Sequence, residues 1–143
     1  MFMKISEAEH AGEIARCFPV MRQLRPHFDD ETKFTAQVEQ QRRAGYRMAF
    51  VEDETGAVRA VAGYRFLESL YAGRFCYVDD LVTDESARSL GFGGALFDWL
   101  LAEARAAGCA KFELDSGVHR FATHRFYLTK RMSLSAHHFS LEL

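Results

Sequence analysis

Three glycines, Gly91, Gly93 and Gly94, fall where the sequence otherwise writes the first turn of an amphipathic helix. Glycine inside a helix is disfavoured by about 1 kcal/mol relative to alanine, so three together need a reason. The stretch around them, Asp79 to Leu101, reads as strand end, polar turn, glycine elbow and helix. Phe75 to Thr83 is rich in aromatic and branched residues, as a buried strand should be. Thr83-Asp84-Glu85-Ser86 is turn chemistry. Phe97, Leu100, Leu101, Ala104 and Ala107 then recur at helical spacing along one apolar face.

Glycine is tolerated where a ligand approaches the backbone closely. A helix N-terminus presents unpaired N–H groups and a partial positive charge, which suit an anion and above all a phosphate. Arg88 adds a fixed cation three residues before Gly91. A second reading stands beside this one, in which the glycines let helix and strand pack closely in a tight turn. Other phosphate motifs fit less well. A dinucleotide fingerprint requires a glycine where Leu96 stands, and a P-loop requires Lys-Ser/Thr where Ala95-Leu96 follow Gly94.

Arg88-Ser89-Leu90-Gly91-Phe92-Gly93 resembles the Arg/Gln-x-x-Gly-x-Gly/Ala signature of the GNAT superfamily of acyl-CoA-dependent N-acyltransferases. Asp80-Leu81-Val82 looks like the end of that family's central strand. The resemblance implies that the elbow holds the pyrophosphate of coenzyme A, with Arg88, Ser89, Gly91, Phe92, Gly93 and Gly94 as its contacts. It also implies a fold in which the strands before and after the glycine helix splay apart to admit acetyl-CoA.

The chain has 143 residues, enough for one domain with a real core, and the expectation is a single domain over 1–143. Lys plus Arg number 18 and Asp plus Glu 20, a net charge of -2, which makes no electrostatic case for nucleic acid. No apolar run approaches the roughly 20 residues that span a bilayer, and the N-terminus lacks a secretion-signal pattern. Cys17, Cys76 and Cys109 are far apart and odd in number, which suggests free thiols in a reducing cytoplasm, and Cys76 and Cys109 lie in strand-like runs where a buried packing role is expected.

In order, Phe2 to Ile5 reads as a first strand. Ser6 and Glu9 form a capping box before a helix with Ala11, Ile14, Ala15 and Phe18 inward, which Pro19 interrupts or restarts. Leu24-Arg25-Pro26 ends the helical region. A second helix starts at Asp29 or Asp30 and stops at Gly45, with Phe34 and Val38 on its apolar side. Tyr46 to Glu52 and Val58 to Leu67 pair across a turn at Asp53-Glu54-Thr55-Gly56. A loop at Ser69 to Gly73 precedes the central strand, and Gly108 stops the glycine helix. Lys111 to Asp115 alternates as a strand, His119 to Lys130 reads as a last helix, and Leu134 to Leu143 as a closing strand. The order β-α-α-β-β-β-α-β-α-β predicts an α/β (α+β) fold, a mixed and mostly antiparallel sheet with helices on both faces. It is also the order of the GNAT fold.

Acyl transfer from a thioester to an amine requires a neutral amine, donors for the developing oxyanion and reactants held together. A proton for the thiolate helps. For the oxyanion, the resemblance points to main-chain N–H groups near Leu81 and Val82, where the family's central strand bulges. An ordinary strand end is the other reading. For the acid it points to Tyr127, because Phe126-Tyr127 matches the family's Phe-Tyr. Arg120 replaces the family's usual Asn, and Arg131-Met132 its Gly-Phe. Arg120, His124, Tyr127 and Arg131 share a helical stripe, with Phe121, Leu128 and Met132 on a neighbouring, core-facing one. For the base, Asp79 and Asp80 lie closest to the expected acetyl site. Adjacent strand residues point to opposite faces, so at most one would face the substrate. Either one can instead be solvated or paired with arginine.

The six histidines do not space like a metal site. His137-His138 diverge in a strand, and His119 and His124 stand five apart with no cysteine nearby, so no metal is expected. His119, Arg120 and His124 remain candidates for cofactor or substrate contact. Acceptor selection, by resemblance, falls to Met21 to Phe28, with Arg22, Arg25 and His27, and to Ser69 to Gly73. These residues lead to a cytoplasmic N-acetyltransferase using acetyl-CoA on a primary amine, of a small molecule or a protein, by direct attack in a ternary complex. Neither nucleic acid nor membrane is an expected partner, and a homodimer is left open. The rivals are a catalytically silent acyl-CoA sensor and a protein-interaction domain on the same fold.

Overall fold

A computed structural model describes residues 2–143. The chain forms two compact units, up to Glu113 and from Leu114 onward.

The first unit is a sheet with helices on both faces. Its elements are β1 (Lys4–Glu7), α1 (Ala11–Leu24), α2 (Glu31–Arg43), β2 (Arg47–Glu52), β3 (Val58–Ser69), β4 (Gly73–Thr83), a 3-10 turn at Glu85–Ala87, α3 (Phe92–Ala106) and all but the last residue of β5 (Lys111–Leu114). The five strands stand in sequence order, and β1 to β4 pair antiparallel. On one face, Met48 and Phe50 of β2, Val61 of β3 and Val82 of β4 join Ile14, Cys17, Phe18, Met21, Phe34 and Val38 of α1 and α2 in one core cluster. Strand alternation turns Tyr64 to the other face, where its ring meets Trp99 of α3 edge-on. Leu96, Phe97 and Leu100 of α3 are fully buried there or nearly so.

Local chemistry explains most boundaries. Asp30 caps α2 by accepting from Lys33 N–H, and Gly45, at φ 102°, follows the helix's end. Gly56, at φ 82°, closes the β2–β3 turn, where Asp53 accepts from the Thr55 and Ala57 N–H groups. Three expectations are corrected. Ser6 does not start α1: it stays in β1 opposite Phe50, and His10 caps the helix by accepting from Glu13 N–H. The strand therefore outcompetes the capping box, Glu13 Oε1 receives the Glu9 N–H instead, and Ala11 is exposed. Pro19 neither interrupts nor restarts α1, which runs through it with the proline on the exposed side.

The second unit contains α4 (Phe121–Thr129), and 133–143 form no strand. The apolar alternation there is real, but a strand also needs a backbone neighbour, and Leu134, Phe139, Leu141 and Leu143 are exposed. The stripes of α4 are also corrected. Tyr127 is its one buried residue, whereas Phe121 and Leu128 are exposed. No helix among the described residues is long and apolar enough to cross a membrane.

Candidate active site

β4 carries a bulge. Gly63 pairs with Asp80 and the next residue, Tyr64, with Val78, so Asp79 is the extra residue. The bulge lies earlier than Leu81 and Val82, which pair regularly with Ala62 and Val61. Val82 is in the core, so it has only backbone to offer a ligand, and Leu81 is half-buried. β5 has four residues against eleven in β4, and its approach is fixed by Ala110 N–H donating to Arg74 C=O at 2.8 Å. Strands joined by a crossover helix run parallel, so β5 follows only the first part of β4 and leaves 79–83 beyond its reach.

The bulge overrides strand alternation for the two carboxylates. Gly63 and Arg65 are two apart on β3 and share a face. Arg65 holds Asp79 with both forks, Nε to Oδ2 and Nη2 to Oδ1, each 2.8 Å. The space a Gly63 side chain would need is filled by Tyr46 Oη and Asp80 Oδ2. Asp79 and Asp80 therefore lie on the same face, against the expectation that only one would. Asp80 in turn accepts from Arg25 Nε at 2.8 Å and from Tyr46 Oη at 2.7 Å. Burial, followed by the Asp80 charge, pushes the Tyr46 phenol well above its ordinary value. It therefore stays protonated and donates its proton to the Asp80 carboxylate in a hydrogen bond. Both carboxylates are thus paired with arginine. Sequence reasoning placed Arg25 among acceptor-selecting residues and gave Tyr46 no role.

After β4 the chain is pinned before it enters α3. Asp84 N–H donates to Arg59 C=O at 2.8 Å, and its carboxylate accepts from Gln23 Nε2 at 3.0 Å, Arg59 Nη1 at 3.0 Å and Ser86 Oγ at 2.8 Å. Burial alone would raise the Asp84 carboxyl, but these hydrogen bonds outweigh it and hold the group below its ordinary value. Gln23 Oε1 also accepts the Glu85 N–H at 2.9 Å. No motif in the sequence points to Gln23 or Arg59. Ser89, at φ 64°, and Gly91, at φ 92°, then turn the chain into α3. No side chain caps α3, and its first turn holds no acidic residue, although α1 and α2 both have side-chain caps. Arg88 is exposed. Phe92 is buried in the core, so its backbone alone is available.

Close packing also accounts for one glycine. A Cβ on Gly93 would lie 2.5 Å from Thr83 Oγ1. Gly91 needs glycine for its left-handed φ. The packing and phosphate readings of the elbow are therefore compatible.

In the second unit, burial raises the Tyr127 phenol above its ordinary value, with Arg120 opposing, so the group carries its proton at neutral pH. His119 precedes α4 rather than lying on it, and His124 Nε2 is 2.7 Å from Gly117 C=O. Among the described residues, no three His, Cys, Asp or Glu side chains gather as a metal-binding group.

The arrangement brings an uncapped helix start close behind a bulged strand. Comparison with known proteins bears on the family. Residues 11–132 match the model of the acetyltransferase (GNAT) family. The uncharacterized N-acetyltransferase YhdJ of Bacillus subtilis is 36% identical over 118 residues, 82% of each chain. An acetyltransferase of Trypanosoma brucei superposes with a TM-score of 0.83 at 21% identity, covering 99% of this chain and 100% of the other. Glucosamine-6-phosphate N-acetyltransferase of Arabidopsis thaliana gives 0.81 at 22% identity, covering 99% of each. With residues 11–132 matched, β2 to β5 and the elbow included, the chain belongs to the GNAT family of acetyltransferases.

Proposed function

We propose that residues 1–143 act as one cytoplasmic catalytic domain that transfers the acetyl group of acetyl-CoA to a primary amine of a small molecule, by direct attack in a ternary complex. The observation that carries this reading is the uncapped start of α3, whose backbone donors have neither a side-chain acceptor nor an acidic neighbour in the first turn. Such a terminus suits a pyrophosphate, and the exposed Arg88 adds charge. Gly91, Gly93, Gly94, Ser89 and Phe92 contribute backbone to the same elbow.

In the reaction the amine nitrogen bonds to the thioester carbonyl carbon, the C–S bond breaks, the amine loses a proton and the thiolate gains one. The bulge at Asp79 and the following Leu81 and Val82 supply main-chain donors for the carbonyl oxygen as it becomes an oxyanion. Asp79 and Asp80 already accept hydrogen bonds on both oxygens, so their part is to attract a cationic amine and to pass its proton on through water. Tyr127 carries a phenolic proton for the thiolate.

The test is calorimetry with acetyl-CoA, followed by thiol release across amino sugars, amino acids, aminoglycosides and peptides. Binding with turnover on a small amine is the expected result. Binding with no turnover on any amine would replace the enzyme by a sensor, and no binding would remove the elbow from the site.

A further inference from the structure

We propose that Arg25, held in place with Tyr46, is a positioning residue that clamps the β4 bulge. This rests on the reading of the bulge as the acyl-carbonyl site and adds what keeps it in register. A bulge removes ladder bonds and leaves the local strand soft. Here it also lies beyond the reach of β5, so β3 alone supports this part of β4 through the sheet. Oxyanion donors work only when held within about 0.5 Å of their target position.

Arg25 supplies what the ladder lacks. From just past the end of α1, one guanidinium donates Nε to Asp80 Oδ1 at 2.8 Å and Nη2 to the backbone carbonyl of Asp79 at 2.9 Å. It thereby holds the bulged residue by its main chain and the next residue by its side chain. Tyr46, 4% exposed and just before β2, fixes the second Asp80 oxygen. The missing side chain of Gly63, opposite Asp80, makes room for both groups. Groups at the end of α1, before β2 and in β3 thus converge on two residues of β4. The side chain of Asp79 is taken separately by Arg65, whereas Arg25 reaches the bulge through its backbone carbonyl. Two of the three guanidinium nitrogens are committed to β4, which makes Arg25 a part of the strand's support rather than a free contact for an acceptor. Only a planar fork can reach both oxygens; the lysine ammonium is a single point charge on a flexible stem.

Two measurements decide it. Hydrogen exchange of the amides at 79–82, in the protein without ligand, should speed up by about tenfold or more in Arg25→Ala and by less in Tyr46→Phe, with the α3 amides unchanged. In kinetics, Arg25→Ala should lose at least about tenfold in kcat, toward the 10²–10³ that removal of an oxyanion donor costs, with acetyl-CoA affinity kept. Arg25→Lys should fail to restore either, and Arg25→Ala/Asp80→Asn should be no worse in kcat than the poorer single variant. Unchanged exchange at 79–82 in Arg25→Ala overturns the clamp, as does faster exchange with unaltered kcat. A raised acceptor KM with kcat intact also overturns it and makes Arg25 an acceptor contact. If the wild-type protein binds no acetyl-CoA, the proposed function falls while the exchange experiment still decides the clamp.

Discussion

A methyl group on Gly93 would begin 2.5 Å from Thr83 Oγ1, closer than packed atoms come. Gly93→Ala should therefore destabilise the fold by about 1–3 kcal/mol, and Thr83→Ala in the same molecule should recover most of it. Urea unfolding of the two variants checks this directly. The pair also separates packing from phosphate binding. In the Thr83→Ala background, Gly93→Asp relieves much of the collision but sets a carboxylate at the helix start. Calorimetry should then show acetyl-CoA affinity reduced by at least about tenfold, or 1.4 kcal/mol. Full affinity in that folded variant would leave the elbow with packing alone. Tyr127 makes a parallel case. Its phenol keeps its proton through the neutral range, because burial raises it above 10.0. Tyr127→Phe should bind acetyl-CoA as before and lose turnover by at least about tenfold, the low end of general acid catalysis, since thiolate is already a stable leaving group. Steady-state kinetics at a saturating amine would show unchanged turnover if Tyr127 is only a packing residue.

Helix α1 shows how an element absorbs a residue that opposes it. Pro19 has no N–H for the Ala15 carbonyl, yet the helix continues because Cys17, Phe18, Val20 and Met21 bury themselves in the core. Pro19 is exposed, so alanine fits without repacking. Pro19→Ala should raise the unfolding free energy by about 1–3 kcal/mol. The measurement is the urea midpoint at unchanged m-value, and a lower midpoint would mean that the proline ring itself supports the fold. What the sequence disclosed follows the same division between local and distant causes. α2, the β2–β3 hairpin and the elbow were legible because a cap, a turn glycine or a periodic face lies inside each. The bulge at Asp79 was not, because it arises from the register between two strands and is written in neither. Arg25–Asp80 and Gln23–Asp84 join residues 55 and 61 positions apart, which no spacing rule connects. Ser6 and 133–143 misled for the converse reason: each has the side-chain pattern of an element whose backbone partners lie elsewhere or are absent.

The molecule as a whole holds protons more tightly than its unfolded chain does. Burial pushes the Cys17 and Cys76 thiols from 9.0 up to about 12, and raises the phenols of Tyr46, Tyr64 and Tyr127. Both thiols are fully buried, in α1 and in β4, so unfolding exposes them together. Below pH 9 the folded and unfolded chains carry the same protons on these thiols, and stability does not depend on them. Above pH 9 the unfolded chain loses these protons while the folded one keeps them until about pH 12. The unfolded state then binds fewer protons, so stability falls as pH rises through that window. Well above pH 9, each thiol contributes a loss of about 1.4 kcal/mol per pH unit, and the tyrosines steepen the slope as their unfolded values near 10 are passed. On the acid side the sign reverses. Hydrogen bonds from the Thr55 hydroxyl and Arg59 hold Asp53 below its ordinary value of 3.8, so its contribution is present above that pH and lost as pH falls below it. Urea unfolding at pH 8, 9, 10 and 11 should therefore give a free energy that is flat at first and then declines with increasing slope. Cys17→Ala should lower the starting stability, because it leaves a cavity, and make the alkaline slope shallower by one proton's worth. A variant with the wild-type slope would mean that Cys17 ionises in the folded chain as readily as in the unfolded one, and that the interior around α1 is open to hydroxide.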